Sequence, residues 1–447
     1  MTIKKIVTFT LAVLVTGGPV LAQNTRSITL DEAIQLGLQN SKQLKLSDAK
    51  VKEATLSLHD AQGRMLPEVS VSGSYMRLAQ PTIDLKLNSN SQSSGNEQSN
   101  PAANIKVNQV AYGIANASLP VFSGLRVHYG IQSAKYLEKA AKLDADKDRE
   151  EVILNIINAY SNLYKSRAAV DLVKENLHQS QQRVKDFTNL EKNGIIARND
   201  LLKVELQESN TELSLLDAES NMKVTNINVD LLLGLPEETL LIPDTTSFLA
   251  MQDARNINDW EQMALGNRKD VAALAMREKA ADANIKAARG EYYPSLALTG
   301  GYIAADIPNL LTITNALNGG IGLKYSPSSL WKAGTKVSEA KTQKAMIMIN
   351  RDMLDDQVRI QINKAYEDYL LSNQKINVYE KAVAQATENY RITKNKYDNS
   401  LATTTDLLEA DVAQLQAKLN YTFAKVDAMV AYNKLLQTAG ALNDNKQ

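Results

Sequence analysis

Asp406 and Glu409 stand three residues apart at the start of a predicted helix that follows Asp398-Asn399-Ser400. Carboxylates at that spacing share one helix face. In a first turn they meet unpaired backbone N–H groups and the positive end of the helix dipole, so capping is one chemistry open to them. Concentrating negative charge is the other. The matching place earlier in the chain holds Asp200, where capping suffices, with Lys203 standing where Glu409 would be. Glu409 therefore distinguishes the two places. Other reactive side chains gather into nothing comparable. His59, His128 and His178 lie far apart with no second ligand at metal spacing, and no metal site is expected. Met346-Ile347-Met348 with Met353 is weighed as a soft-metal contact and read instead as methionine on a helical seam. There is no cysteine, hence no disulfide, thiol chemistry or cysteine-linked lipid. No nucleophile elbow or phosphate-binding glycine loop occurs, so neither an enzyme nor a cofactor is expected.

The elements that must position these residues occur twice. Leu30 to Tyr75 recurs without a gap at Ile257 to Tyr302, placing Gly63 on Gly290, Pro67 on Pro294, Gly73 on Gly300 and Tyr75 on Tyr302. Farther along, a second constant offset carries Ala159-Tyr160 onto Ala365-Tyr366, Asp200-Leu201-Leu202 onto Asp406-Leu407-Leu408, and Gly234 onto Gly440. Position-specific Gly and Pro do not match this way through shared helical composition, so the chain reads as a duplication. The expected divisions are a signal segment at 1–22, a first repeat at 23–234, a linker at 235–256, a second repeat at 257–440 and a tail at 441–447.

Each repeat reads as helix, strand pair, long helical hairpin. Val152, Ile156, Ala159, Leu163, Ser166, Val170, Val173 and Leu177 alternate spacings of four and three, the seam of a left-handed coiled coil. Val358, Ile362, Ala365, Tyr369, Ser372, Ile376, Tyr379 and Val383 repeat it. A helix from Ile131 to Leu190 would be on the order of 90 Å long. Asn193-Gly194 ends it, and a return helix is expected from Asp200 with Leu202, Leu206, Ser209, Leu213 and Leu216 on its seam face. The second return is expected to use Leu408, Val412, Leu415 and Leu419.

Four strands are expected. Glu68 to Tyr75 and Ser295 to Ala304 alternate polar and apolar residues, and Val107 to Leu119 and Ile321 to Tyr325 are weaker examples. The Ser, Asn and Gln tract at Asn88 to Asn100 and its counterpart at Asp306 to Leu317 read as loops. Pro67 and Pro294 are expected to stop helices before strands, and Pro120 and Pro327 to precede helices.

Lys4 and Lys5, the apolar run Ile6 to Val15 and Val20-Leu21-Ala22 before Gln23 form a secretory signal pattern, so the chain is expected to leave the cytoplasm. Fifty basic residues balance 50 acidic ones with no basic stripe, which argues against nucleic acid as a partner. Five phenylalanines and two tryptophans are few for a large globular core and suit thin helical seams. The strands lack helices to cover them. A bilayer would supply the missing apolar solvent, but a sheet there must close, and four strands are fewer than the roughly eight with which membrane barrels begin. Several chains would have to share one barrel, with their hairpins aligned as a tube.

The signal, the duplicated helix–strand–strand–hairpin halves, and the Gly194 to Leu202 turn with its echo at Ser400 to Leu408 resemble the outer membrane efflux protein family, the TolC-like channel-tunnel proteins. The likeness spans almost the whole chain after the signal. It implies a mainly α fold with a small β part: a homotrimer whose four strands per chain form a twelve-stranded outer membrane barrel, continued by a periplasmic α-barrel closed at its tip. It implies passage of drugs, other small molecules or secreted proteins, from an inner membrane transporter of RND or ABC type through a periplasmic adaptor, the membrane fusion protein. The family's ring of carboxylates at the entrance falls on Asp406 and Glu409. The tyrosine and aspartate of its closing lock fall on Tyr397 and Asp200. The lock's arginine falls on Ala402, a departure for which Arg198 or Lys203 could compensate. Adaptor contact is expected at the tips, on Asn193, Gly194, Ile195 and Asn199 and on Asn399, Ser400, Leu401 and Thr403. The readings held beside this one are a periplasmic structural or adaptor-like coiled-coil protein without a pore, and a passive uptake porin, which leaves such long hairpins unexplained.

Overall fold

The computed structural model describes residues 25–79, 107–244, 253–308 and 310–442. The expected signal segment and the Asn88 to Asn100 tract lie outside them, as does most of the expected tail. In chain order the elements are β1 (Thr25–Ile28), α1 (Leu30–Asn40), α2 (Lys42–Gly63), β2 (Glu68–Arg77), β3 (Gln109–Phe122), α3 (Arg126–Lys192), α4 (Arg198–Leu233), β4 (Leu240–Pro243), α5 (Ile257–Asn267), α6 (Lys269–Arg289), β5 (Ser295–Ile307), β6 (Leu311–Lys324), α7 (Ser329–Asp398) and α8 (Thr404–Thr438). They fall into two compact units, residues 1–45, 148–266 and 359–447 in one and 46–147 and 267–358 in the other. The single helix expected before each strand pair is two helices in sequence, α1–α2 and α5–α6.

The first unit holds the hairpins. At about 1.5 Å per residue, the 67 residues of α3 span about 100 Å. Its seam is buried where the spacing places it, at Val152, Ile156, Ala159, Leu163, Ser166, Val170 and Val173. The α7 seam is buried at Val358, Ile362, Ala365 and Tyr369 and half-buried at Ser372, Ile376, Tyr379 and Val383. The first return helix faces otherwise than expected, and the second is turned part of the way. On α4, Leu202, Leu206, Ser209, Leu213 and Leu216 are exposed, while Leu201, Val204 and Thr211 turn inward. On α8, Leu407, Ala410, Asp411, Ala417 and Ala424 are buried, Leu408, Leu415 and Leu419 of the expected line are half-buried, and Val412 is exposed. Small side chains let helices approach closely, so the alanine line of α8 sits innermost, with the expected leucines at its margin.

The same unit contains a pair of strands too short to read from periodicity. β1 and β4 run parallel, Thr25 against Leu240 through Ile28 against Pro243. Buried Tyr160 clamps their ends: its one hydroxyl proton is shared between Ile28 O (3.0 Å) and Asp244 O (3.1 Å), and burial pushes its pKa up to about 12. Asn226 joins the end of α4 to β4, donating to Thr239 O (2.7 Å) and accepting from Leu241 N (2.9 Å). β4 thus lies inside the segment expected to link the repeats. That segment's end is held too, Asp253 N donating to the Tyr369 hydroxyl at 3.0 Å.

The second unit holds an antiparallel sheet in the order β2-β3-β5-β6. These are the four strands expected, with one enlarged: Asp306 to Leu317, read as a loop, is mostly strand, because β6 begins at Leu311 and pairs Leu311 with Ile307 and Leu317 with Tyr302. Pro120 does not precede a helix directly but lies in β3 beside a bulge between Pro120 and Phe122, where its missing N–H does least harm to the ladder. Pairing aligns Val69 and Val71 of β2 with Ala117 and Ala115 of β3, then Gly300 and Tyr302 of β5, then Gly319 and Leu317 of β6. One sheet face is therefore apolar. Val71, Leu317, Ile321 and Leu323 on it are 81%, 85%, 75% and 67% exposed in the single chain. The opposite face carries Ser70, Asn116, Gly301 and Asn318 in one cross-strand row.

Two strand-helix junctions cross closely. A Cβ on Gly124, whose φ is +63°, would fall 2.2 Å from Gly290 O, and one on Gly290 would fall 2.4 Å from Gly124 O, so neither position accepts a side chain. Met346, Met348 and Met353 are exposed on α7 rather than in a seam, since the line that α7 buries in this unit runs through Ala333 and Val337. No helix among the described residues is long and apolar enough to cross a membrane.

Candidate functional site: the hairpin tips

Both tips close by the same device. A helix C-terminus turns on a left-handed residue, Gly194 (φ +70°) in the first and Ser400 (φ +62°) in the second. The next amide reaches back to the helix, Ile195 N to Leu190 O at 2.9 Å and Leu401 N to Lys396 O at 2.7 Å, the six-to-one bond of a Schellman motif. Asn193 and Asn399 each donate from the side chain to the carbonyl four residues back, both at 2.8 Å. The pattern leaves Ile195 and Leu401 projecting, 67% and 77% exposed. Asn199 and Thr403 are also exposed.

The returns then diverge. α8 starts with a full capping box: Thr403 Oγ1 accepts from Asp406 N (3.2 Å), and Asp406 Oδ2 accepts from Thr403 N (2.8 Å) and from the Thr403 hydroxyl (2.7 Å). Donation from the Thr403 backbone, then from its hydroxyl, holds the Asp406 carboxyl below the usual carboxylate range. Asp406 is turned back on its own helix. Glu409, one turn on, is exposed. α4 has no such box. Its N-cap is Ala197, which offers no side-chain acceptor, and Asp200 does not cap as expected; it receives Lys203 Nζ at 3.3 Å. The lysine expected as a possible substitute for the missing arginine is thus engaged locally. Ala402 is half-buried and Arg198 exposed.

Tyr397 joins the tips. Its ring stacks on Phe187 of α3, centroids 5.3 Å apart and planes 10° from parallel, beside a core of Phe187, Leu201, Val204 and Leu407. Burial raises the phenol's pKa, opposed by a hydrogen bond with the Thr404 side chain and reinforced by the charges of Asp200 and Asp398. Tyr397 and Asp200, from different hairpins, are therefore neighbours, while Asp406 and Glu409 stand at the start of the facing helix.

Above the tip lies a group that sequence reasoning missed. Arg183 of α3, 8% exposed, donates to Asp411 Oδ2 of α8 at 3.0 Å and to the Tyr390 hydroxyl of α7 at 3.2 Å. Asn176 of α3 donates to the same Oδ2 at 3.3 Å. The available signal was Asp411 itself, a charge four residues after Leu407 where a seam position falls.

A family model described as outer membrane efflux protein matches residues 33–235 and 260–441. The outer membrane efflux protein BepC of Brucella suis is 21% identical over 439 residues, 96% of this chain and 89% of that protein. The toxin and drug export protein A of Aggregatibacter actinomycetemcomitans is 22% identical over 416 residues, 90% of this chain and 84% of that one. Among solved structures, CusC superposes with a TM-score of 0.76 at 17% identity, covering 92% of each chain. The outer membrane protein VceC of Vibrio cholerae superposes at 0.73 and 17% identity, covering 92% of this chain and 96% of that one. The two matched segments take in the two sets of helices and strands, and the solved structures share the fold: this chain belongs to the outer membrane efflux protein family.

Proposed function

We propose that three copies of this chain form an outer membrane efflux duct, a shared β-barrel continued by a periplasmic tube of helical hairpins that closes at the tips. The carrying observation is the four-stranded sheet whose Val71, Leu317, Ile321 and Leu323 side chains are exposed on one face. Such a face is stable against hydrocarbon, and there the open edges of β2 and β6 must be paired, which one chain of four strands cannot do for itself. Three copies supply enough strands to close. The exposed stripe of α4, Leu202, Leu206, Leu213 and Leu216, then serves as the contact between neighbouring copies, as does the open groove of about 970 Å³ lined by Leu56, Val127, Ile131 and Leu137.

The tips are the entrance. Ile195 and Leu401, flanked by Asn193, Gly194 and Asn199 and by Asn399, Ser400 and Thr403, are the surface for a periplasmic adaptor, which couples the duct to an inner membrane transporter. Glu409, repeated by symmetry, gives the entrance a ring of negative charge, with Asp406 holding the helix that carries it and Tyr397 and Asp200 at the closing contact. Crowded carboxylates attract cations, so the duct is cation-selective and blocked by multivalent cations. The cargo is drugs, other toxic small molecules or secreted substrates; one relative is named for toxin and drug export.

Single-channel conductance in a planar bilayer tests this, comparing wild type with Glu409→Ala, with and without a trivalent cation. A small cation-selective conductance, blocked in wild type and relieved of block in the variant, supports duct and ring together. Well-folded oligomers that do not conduct would return the chain to a structural coiled-coil role.

A further inference from the structure

Asp230 stands in the last turn of α4, 0% exposed, where a negative charge has little to answer it. The C-terminal end of a helix disfavours a carboxylate. Asn226 Nδ2 supplies one hydrogen bond to Asp230 Oδ2 at 2.8 Å, and Oδ1 is enclosed with no partner. The charged group that bears on it is Glu237, in the turn between α4 and β4, and its sign is the same. The other elements meet this turn with neutral side chains: Gly37 of α1 and Ile156 of α3 pack by Leu233, Asn40 of α1 donates to Leu233 O at 2.7 Å, and β4 is joined through Asn226 at Thr239 and Leu241. Burial, with Glu237 adding to it, pushes the Asp230 carboxyl up to about 6. The second repeat has the same seat without the acid. The offset that carries Gly234 onto Gly440 carries Asp230 onto Leu436, itself buried, and the bond from Leu235 N to Asp230 O (2.8 Å) onto that from Ala441 N to Leu436 O (2.9 Å). The turn therefore forms on an apolar side chain, and the carboxyl of the first copy is not needed to build it.

We propose that Asp230 makes the anchorage of α4 on the β1–β4 pair respond to pH: the turn closes on the neutral acid and loosens as the carboxyl ionises. A folded-state pKa above the ordinary aspartate value of about 3.9 means that the closed turn binds the proton more tightly than the open one. Closure is then strongest in acid. It weakens as pH rises from about 3.9 through about 6 and is constant above that. What loosens is the root of the first hairpin, because Asn226, one turn before Asp230, ties α4 to Thr239 O and Leu241 N, and β4 in turn pairs with β1. The second hairpin, with Leu436 in the matching seat, has no such response.

The test is amide exchange of the full-length, detergent-solubilised protein between pH 5 and pH 8, read as protection relative to the intrinsic rate at each pH. Protection at Leu235 and Leu241 is expected to fall about ten-fold over that range in wild type, the loss implied by a folded value of about 6 against an ordinary value of about 3.9. Ala441, in the matching turn, is expected to stay level. Asp230→Asn is expected to be level at all three amides, and Asp230→Leu, which copies the second repeat, to be level and better protected than wild type at pH 8. Wild-type protection at Leu235 and Leu241 that merely follows Ala441 across the range overturns the switch without recourse to any variant. A fall that persists in Asp230→Asn or Asp230→Leu overturns it too, since another group then carries the response. Neither result touches the duct reading.

Discussion

The two hairpin tips share a sequence pattern and hold themselves in opposite ways. The first turns on Gly194, for which φ +70° is unstrained, and then enters α4 through Ala197 with no side-chain cap. The second turns on Ser400, strained at φ +62°, and then enters α8 through the Thr403–Asp406 box. One tip is relaxed in its turn and bare at its helix start; the other is strained in its turn and anchored at its helix start. The charge follows the same division. Asp200 is answered by Lys203, whereas Asp406 is answered by neutral Thr403, which leaves Glu409 uncancelled. The box thus fixes the start of α8 with Thr403 and the Asp406 carboxylate and leaves Glu409, one turn on, exposed.

That contrast can be broken from either side. Gly194→Ala puts a Cβ into the left-handed region and should cost about 1–2 kcal/mol, read as faster amide exchange across residues 190–198. Thr403→Ala removes the acceptor for Asp406 N and one donor to its carboxylate and should cost about 1 kcal/mol, read the same way at the start of α8. Asp406 carries a pH signature: its pKa is depressed in the folded chain, so the box contributes fully above the ordinary aspartate pKa of about 3.9 and is lost as pH falls through the lower folded value. Protection from amide exchange at the start of α8, taken relative to the intrinsic rate at each pH, should fall over that acid range in wild type and change less in Thr403→Ala. Ala197→Asp should give the first tip the cap that it lacks, slowing exchange there by the equivalent of about 0.5–1 kcal/mol. Ser400→Gly should relieve the second turn by less than about 1 kcal/mol, since glycine's added freedom in the unfolded chain offsets part of the gain.

Much of this arrangement was legible beforehand, for reasons that also explain the gaps. The α3 seam was readable because Val152 through Val173 alternate cleanly and have one inner side. The α4 seam was not, because α4 carries two apolar lines: Leu202, Leu206, Leu213 and Leu216 satisfy the spacing rule as well as Leu201 and Val204 do, and periodicity cannot say which line meets its own chain. β1 and β4 escaped because four residues hold too few alternations to register, and their pairing joins positions more than two hundred residues apart. Most of the tip was recoverable from Gly194, Ser400 and the Thr403–Asp406 spacing. Arg183 was invisible for the same reason as β1, its partner being remote in sequence; only the charge of Asp411 in a seam hinted at it.

The sheet also bears on how the protein is made. β2 and β6 leave edges of 10 and 14 residues, long enough to template addition of any strand that meets them. In the duct proposed above, closure is an encounter between copies and rises with a power of concentration, while misaddition begins as soon as one edge is uncovered. The timing of synthesis and escort, more than the strength of any contact within the chain, then sets the yield of native protein. Slowing the arrival of second and third copies should shift the product from assembled duct to aggregate without altering a single residue.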